Sequence, residues 1–442
     1  MNWIQLLSPR RIGQKKQSSE QSRSAFEQDY DRIIFSHPFR RLQDKTQVHP
    51  LPEHDFVHTR LTHSLEVSSV GRSLGKKVGE IILQRHKELN EQYSLFDFGA
   101  IVAAASLTHD LGNPPFGHAG EDAISDFFVH NDHGKIFQGK VSESEWSDLI
   151  KFEGNAQGFR ILNKNQYGLK LTYATLGAFT KYPCSSSFSE RDKFKKSQKK
   201  FGFFQTEKVI FEEVATEIGL RKVAEGAWLR HPLAFLVEAA DDICYSIIDL
   251  EDACSLGLVS FEETVSLLAN ILREGFNRDK LDRLHGQHQK IGTLRALVIS
   301  KLIDECTQIF LDHEMDILSG KFDQALTDQC ASRDGLKSII ELSIEKIYRA
   351  RHVVEIETAG HEILPGLLKE FVAAGVHLWD IKSAPRKYQN IALLLPGEIR
   401  FDLQESAADH YRMLRLVIDF VSGLTDRHAL GLYRQIKGFG KL

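Results

Sequence analysis

A histidine followed by an aspartate, His109-Asp110, closes an apolar stretch and runs directly into Leu111-Gly112-Asn113-Pro114-Pro115-Phe116-Gly117-His118-Ala119-Gly120-Glu121. A rigid Gly/Pro turn holds such an imidazole and carboxylate in one aim, and a buried carboxylate demands a cation or another partner. Alone, an HD pair is ordinarily no more than a salt-bridged helix end. A second imidazole, His63, lies in Arg60-Leu61-Thr62-His63-Ser64-Leu65-Glu66, and a second carboxylate, Asp241, lies in an apolar run between Leu233 and Ile248. A lone inward histidine is more often a satisfied core residue than a ligand. Two histidines and two aspartates together form an N2O2 set suited to one divalent ion such as Mn, Mg, Fe, Co or Ni, with zinc less favoured, and with positions left for water and phosphate oxygens.

These residues need rigid elements to position them, and the spacing of apolar residues predicts helices. From His63 onward, Val67, Val70, Leu74, Val78 and Ile81 recur at three- and four-residue steps, which places His63 on the inward face of a helix. A second helix is predicted from about Phe98 to Asp110, stopped by Gly112 and Pro114-Pro115. A third opens at Pro232, a favoured first-turn residue, and carries Asp241 on its way to about Ala253. No proline stands between Pro232 and Pro365, and residues 261–395 keep helical spacing without a nameable motif, so the fold class is all-α. The stretch Pro183–Gln205 differs. Arg191, Lys193, Lys195, Lys196, Lys199 and Lys200 interleave with Phe194, Phe201, Phe203 and Phe204, which reads as a mobile basic loop. Such a loop is either solvated, or reaches a triphosphate, or tracks a single nucleic-acid strand by charge and stacking.

Composition sets the outer limits. With 42% hydrophobic and 26% charged residues the chain has the material of a globular core, and its net charge of -4 means that any nucleic-acid contact needs a local patch. Five scattered cysteines fit neither a disulfide framework nor a thiolate zinc site. The apolar run Trp3–Leu7 is too short for a signal segment and no stretch is long enough to span a membrane, so a cytoplasmic protein without membrane contact is expected.

The order H…HD…D resembles the HD superfamily, and within it the chain is similar to the bacterial deoxyguanosine triphosphate triphosphohydrolases and their relatives. The likeness rests on Phe39–Val48, the His63 string, His109–Glu121, Glu153-Gly154-Asn155-Ala156-Gln157, the Lys-Phe stretch ending at Phe204, Glu238–Ala253 and Ser422–Arg427. It implies an all-α HD-domain fold with additional C-terminal helices. One interlocked body over 1–442 would hold an HD core at 55–255, and a C-terminal region at 256–442 would complete the site and supply an oligomer interface. The resemblance assigns His63, His109, Asp110 and Asp241 as metal ligands, and His118 and Glu121 as the catalytic pair. Arg60 falls on phosphate, Gln47 near sugar and base, Tyr245 on the triphosphate and Asp249 on the sugar. Asp241 is preferred to Asp242 because Asp241, Tyr245 and Asp249 form an i, i+4, i+8 ladder matching the family's ligand, tyrosine and aspartate. The implied reaction is metal-dependent hydrolysis of a deoxynucleoside triphosphate, dGTP among them, to deoxynucleoside and tripolyphosphate. A homo-oligomer, tetramer or hexamer, and a nucleotide or single-stranded DNA effector belong to the same expectation. The competing readings are an HD phosphodiesterase or nucleotidase acting on another nucleotide, and a single-strand-responsive binding module with an incidental metal site.

Overall fold

A computed structural model describes residues 1–14, 23–47, 58–406 and 408–439, without the side chains of Asn165 and His352. Val48 and residue 55, named above, lie outside these. The architecture is all-α. Among the described residues the only strands are Lys222–Ala224 and Ala227–Trp228, a short antiparallel pair.

Each helix predicted around the chemistry is present, with boundaries set by local caps. Helix Arg60–Arg85 starts at Thr59, whose side chain accepts from the Thr62 N–H while Thr62 returns the bond. That capping box fixes the first turn, which carries Arg60 and His63. Helix Leu95–Thr108 begins three residues earlier than predicted because Ser94 and Asp97 form a capping box ahead of Phe98. It ends with His109 as its C-cap, so Asp110 stands in the turn beyond. Helix Pro232–Ser255 has proline at its first turn, and the His231 ring accepts from the Leu233 N–H.

The Arg60 and Leu95 helices lie almost backbone to backbone. A Cβ on Gly75 would stand 2.7 Å from the Phe98 carbonyl oxygen, so only glycine permits this approach. The apolar side chains form two clusters. One joins the Arg60, Leu95 and Pro232 helices to helix Gln287–Asp312 and to buried residues of helix Arg333–Lys346. The other sets helix Gly117–His130 against helices Arg351–His377, His410–Ser422 and Asp426–Lys437. The segment from His109 to Gly117, between Leu111 of the first cluster and Phe116 of the second, is where the polar residues collect.

Pro183–Gln205 is not a free loop. Phe201, Phe203 and Phe204 are buried, and Phe203 stacks on Phe211 with ring centroids 4.3 Å apart. Arg191 donates to the carbonyls of Ser185, Phe188, Gln198 and Lys200, which folds the segment on itself. The expectation of mobility fails because aromatic burial and these bonds outweigh the solvation of the lysines; Phe194 alone is left outside, at 91% exposure.

Candidate active site

Its place as the C-cap of helix Leu95–Thr108, with the turn after it, aims His109 inward. Its Nδ1 donates to the Ser106 carbonyl at 2.7 Å, which fixes the tautomer and leaves Nε2 facing the cluster as an acceptor. That Nε2 is buried with no hydrogen-bond partner. Around it stand Asp110 Oδ1 at 3.6 Å and Asp241 Oδ1 at 3.5 Å, and Asp241 Oδ1 is also 3.3 Å from His63 Nε2. The His63 and His109 rings meet edge-on, 5.3 Å between centroids. His63, His109 and Asp110 bring ligand atoms within 4.8 Å of one another, a set able to hold a metal ion, with Asp241 against both imidazoles. An orphaned buried imidazole nitrogen among carboxylate oxygens is what a divalent cation would satisfy, so these residues fit one.

Electrostatics agree with this arrangement. Burial would raise the Asp241 carboxyl, but His109, His63 and Lys181 overcome it and bring it down to about 2. Burial opposes ionisation of Asp110 in the same way, and Arg60 with the two histidines holds it well below the usual carboxylate range. Asp242, one residue on, accepts from Thr327 Oγ at 2.7 Å, and burial pushes it up to about 6. The neighbouring aspartates are thus sorted by their partners, one into the imidazole cluster and one into a hydroxyl contact.

These groups open onto a cavity of about 660 Å³, within the range of ligand sites. Its lining includes Gln47, Arg60, His109, Asp110, His118, Glu121, Asp241 and Tyr245. Arg60 Nη1 donates to Asp110 Oδ2 at 2.5 Å, and Asn113 donates to Oδ1 of the same carboxylate at 2.6 Å. Arg60 therefore meets the HD carboxylate directly. Gln47 reaches the cavity with its Oε1 buried and unpartnered.

His118 stands in the first turn of helix Gly117–His130 with 81% of its side chain exposed. Its Nδ1 donates to Glu121 Oε2 at 2.8 Å, and that bond raises the imidazole above its ordinary range. Glu121 Oε1 accepts from the Gly154 N–H at 2.7 Å. Glycines are required here: a Cβ on Gly154 would come 2.7 Å from Glu121 Oε1, and one on Gly112 would come 1.9 Å from the Gly154 carbonyl oxygen.

Tyr245 is on the cavity wall, whereas Asp249 is 4% exposed and stands behind it. Asp249 accepts from the Tyr348 hydroxyl at 2.8 Å, and the Tyr348 ring stacks on Tyr245 at 5.7 Å. Tyr348 was not legible as a site residue. Nor was Lys181, which pairs with Glu238, or the place of Lys199 and Lys200 on the cavity wall, with Lys200 3.7 Å from Glu121. Only the positive charge of the 191–200 stretch pointed toward the last two.

Comparison with known proteins now bears on this geometry. The HD domain model matches residues 60–152 and the phosphohydrolase-associated domain matches residues 330–435. A deoxyguanosinetriphosphate triphosphohydrolase-like protein of Synechocystis is 43% identical, with 99% of each chain covered. The chain belongs to this family of HD phosphohydrolases. A triphosphohydrolase-like protein of Pseudomonas aeruginosa is 39% identical over 99% of each chain, and the deoxyguanosinetriphosphate triphosphohydrolase of Klebsiella pneumoniae is 30% identical over 93% of each. As a member of the family the protein is a hydrolase, and its HD domain implies a divalent metal site, which the His63-His109-Asp110 cluster can supply. No described helix is long and apolar enough to cross a membrane.

Proposed function

We propose that this hydrolase cleaves deoxynucleoside triphosphates, dGTP among them, to deoxynucleoside and tripolyphosphate in the cytoplasm. The observation that carries the proposal is one cavity in which a His/Asp cluster and a His118–Glu121 pair face Lys181, Lys199 and Lys200. Relatives named for triphosphohydrolysis align with 93% and 99% of the chain.

In this reading His63, His109, Asp110 and Asp241 hold one divalent ion, of Mn, Mg, Fe, Co or Ni. A divalent ion there supplies Lewis acidity at a phosphate oxygen and lowers the pKa of water. His118 sits at the α-phosphorus and moves a proton between the attacking water and the leaving 5′ oxygen, with Glu121 fixing the ring. Lys181, Lys199 and Lys200, with Arg60, neutralise the polyphosphate, which carries most of the negative charge that develops. Tyr245 and Tyr348 pack the sugar, with Asp249 orienting the Tyr348 hydroxyl, and leave no room for a 2′-OH. Gln47 offers its amide to the sugar or base. Homo-oligomerisation belongs to the same reading: Ile340, Ile344, Leu393 and Phe401 present exposed apolar surface for it, and sedimentation velocity would show a tetramer or hexamer.

The test is product identity. Protein reconstituted with Mn(II) is incubated with each dNTP and rNTP, and the phosphate products are separated by ion chromatography. Tripolyphosphate from dNTPs supports the proposal; pyrophosphate or orthophosphate instead defeats it.

A further inference from the structure

Asp426 has no part in the chemistry above, yet it is 1% exposed. It opens helix Asp426–Lys437 and divides its carboxylate between two backbone donors. Oδ1 accepts from the Phe116 N–H at 3.0 Å, and Oδ2 accepts from the Thr46 N–H at 2.9 Å. Thr46 immediately precedes Gln47, and Phe116 comes two residues before His118. Beside them the buried Lys45 donates from Nζ to the Asn113 carbonyl at 2.5 Å and the Ser422 carbonyl at 3.0 Å. The Lys45 carbonyl in turn accepts from the Arg60 N–H at 3.2 Å, and Thr46 bridges Thr59. Two stretches that line the cavity, Thr46–Gln47 and Asn113–Gly117, are therefore tied to residues 422–426, more than three hundred positions away in the chain, and Arg60 joins them through the Lys45 carbonyl.

Phe116 explains why such a tie is needed. It lies in the left-handed region, φ 65° and ψ 18°, and Gly117 follows at φ 59°. For a residue with a Cβ this conformation is strained and persists only where the surroundings enforce it. The kink sets the direction in which helix Gly117–His130 leaves the turn, and so where His118 and Glu121 stand relative to Asp110. A carboxylate suits the point because two N–H donors converge on it. An asparagine would accept from one and turn its own NH₂ toward the other.

We propose that Asp426, braced by Lys45, is a positioning residue that locks the Phe116 kink and the Thr46–Gln47 segment together, and so aims the His118–Glu121 pair at the reacting phosphate. The kinetic part of this inference rests on the proposed triphosphohydrolysis; the structural part does not.

The decisive variant is Asp426→Asn in the full-length protein. Three quantities are read: kcat and KM on the best dNTP, Mn(II) binding by electron paramagnetic resonance, and the titration of His118. The last uses ¹³C-histidine NMR, with the His118 signal assigned from its absence in His118→Gln. The groups that act on His118 are Glu121, Lys200 and Arg60, and none of them is altered. A displaced catalytic group costs on the order of 100-fold in kcat, while KM should move by no more than about threefold because the binding groups remain. Mn(II) affinity stays at the wild-type value, and His118 titrates closer to the ordinary imidazole range as its contact with Glu121 loosens. Unchanged kcat and titration overturn the proposal, and so does a parallel loss of kcat, KM and metal binding, which would mark general loosening. Should Asp426→Asn fail to fold, Lys45→Met removes the other half of the strut and is read the same way. If the wild-type protein releases no tripolyphosphate, the functional reading fails, and the His118 titration alone still decides whether Asp426 positions the pair.

Discussion

His109 shows how a single side chain announces a site. Its Nδ1 is committed to the Ser106 carbonyl and its Nε2 is buried without a hydrogen-bond partner, an arrangement that costs about 1–3 kcal/mol unless something else fills the gap. Asp241 faces that gap and Asp242 does not, so the two neighbours should behave differently on truncation. Asp241→Ala should weaken Mn(II) binding by at least about tenfold, as losses around a metal typically do, while Asp242→Ala should keep it within a few-fold. Metal content after dialysis measures both, and the reverse order would move the ligand by one residue. At His118 the governing partner is Glu121, whose carboxylate raises the imidazole pKa. Glu121→Gln removes that charge, so the limb of the pH–rate profile that belongs to His118 should move to lower pH. A limb that stays in place would detach His118 from the reaction.

At the scale of elements, periodicity and punctuation carried the prediction well. The helix opening at Pro232 was readable because proline suits a first turn, and the inward face of His63 followed from the three- and four-residue apolar steps after it. The start of helix Leu95–Thr108 was misplaced by three residues because its capping box precedes the apolar run that betrayed it. Close contacts between elements were not readable. Gly112 touches the Gly154 backbone so tightly that a methyl group would stand 1.9 Å from its carbonyl oxygen. Gly112→Ala should therefore destabilise the fold by about 1–3 kcal/mol or more, seen as a lower midpoint in denaturant unfolding. On helix Pro232–Ser255, burial lifts the Asp249 carboxyl to about 7 despite its bond from Tyr348. A folded pKa above the unfolded value means that the native state holds the extra proton. Stability from this group is full below about pH 4 and is lost as pH rises through 7, with a slope of up to about 1.4 kcal/mol per pH unit. Asp249→Asn should flatten that slope in urea titrations between pH 4 and 7, and an unaltered slope would place the proton elsewhere.

Over the whole molecule, the cluster of His63, His109, Asp110 and Asp241 was legible because its residues stand in short strings in the sequence. Lys181 and Tyr348 on the cavity wall were not, because they reach it from segments with no motif spacing in common with the cluster. The basic stretch misled for a related reason. In an irregular segment nothing in the spacing tells which side of the chain faces inward, so Phe201, Phe203 and Phe204 read as stacking groups when they are core. Tertiary closure thus supplies the cavity residues that lie outside the sequence motifs, and the proposed reaction depends on both sets meeting at one phosphorus. Single-turnover hydrolysis of a dNTP in ¹⁸O-labelled water, followed by ³¹P NMR and mass spectrometry, tests this most directly. Attack at the α-phosphorus with release of the 5′ oxygen puts the label in a terminal phosphate of tripolyphosphate and none in the deoxynucleoside. Label in the deoxynucleoside, or in released pyrophosphate or orthophosphate, would contradict it.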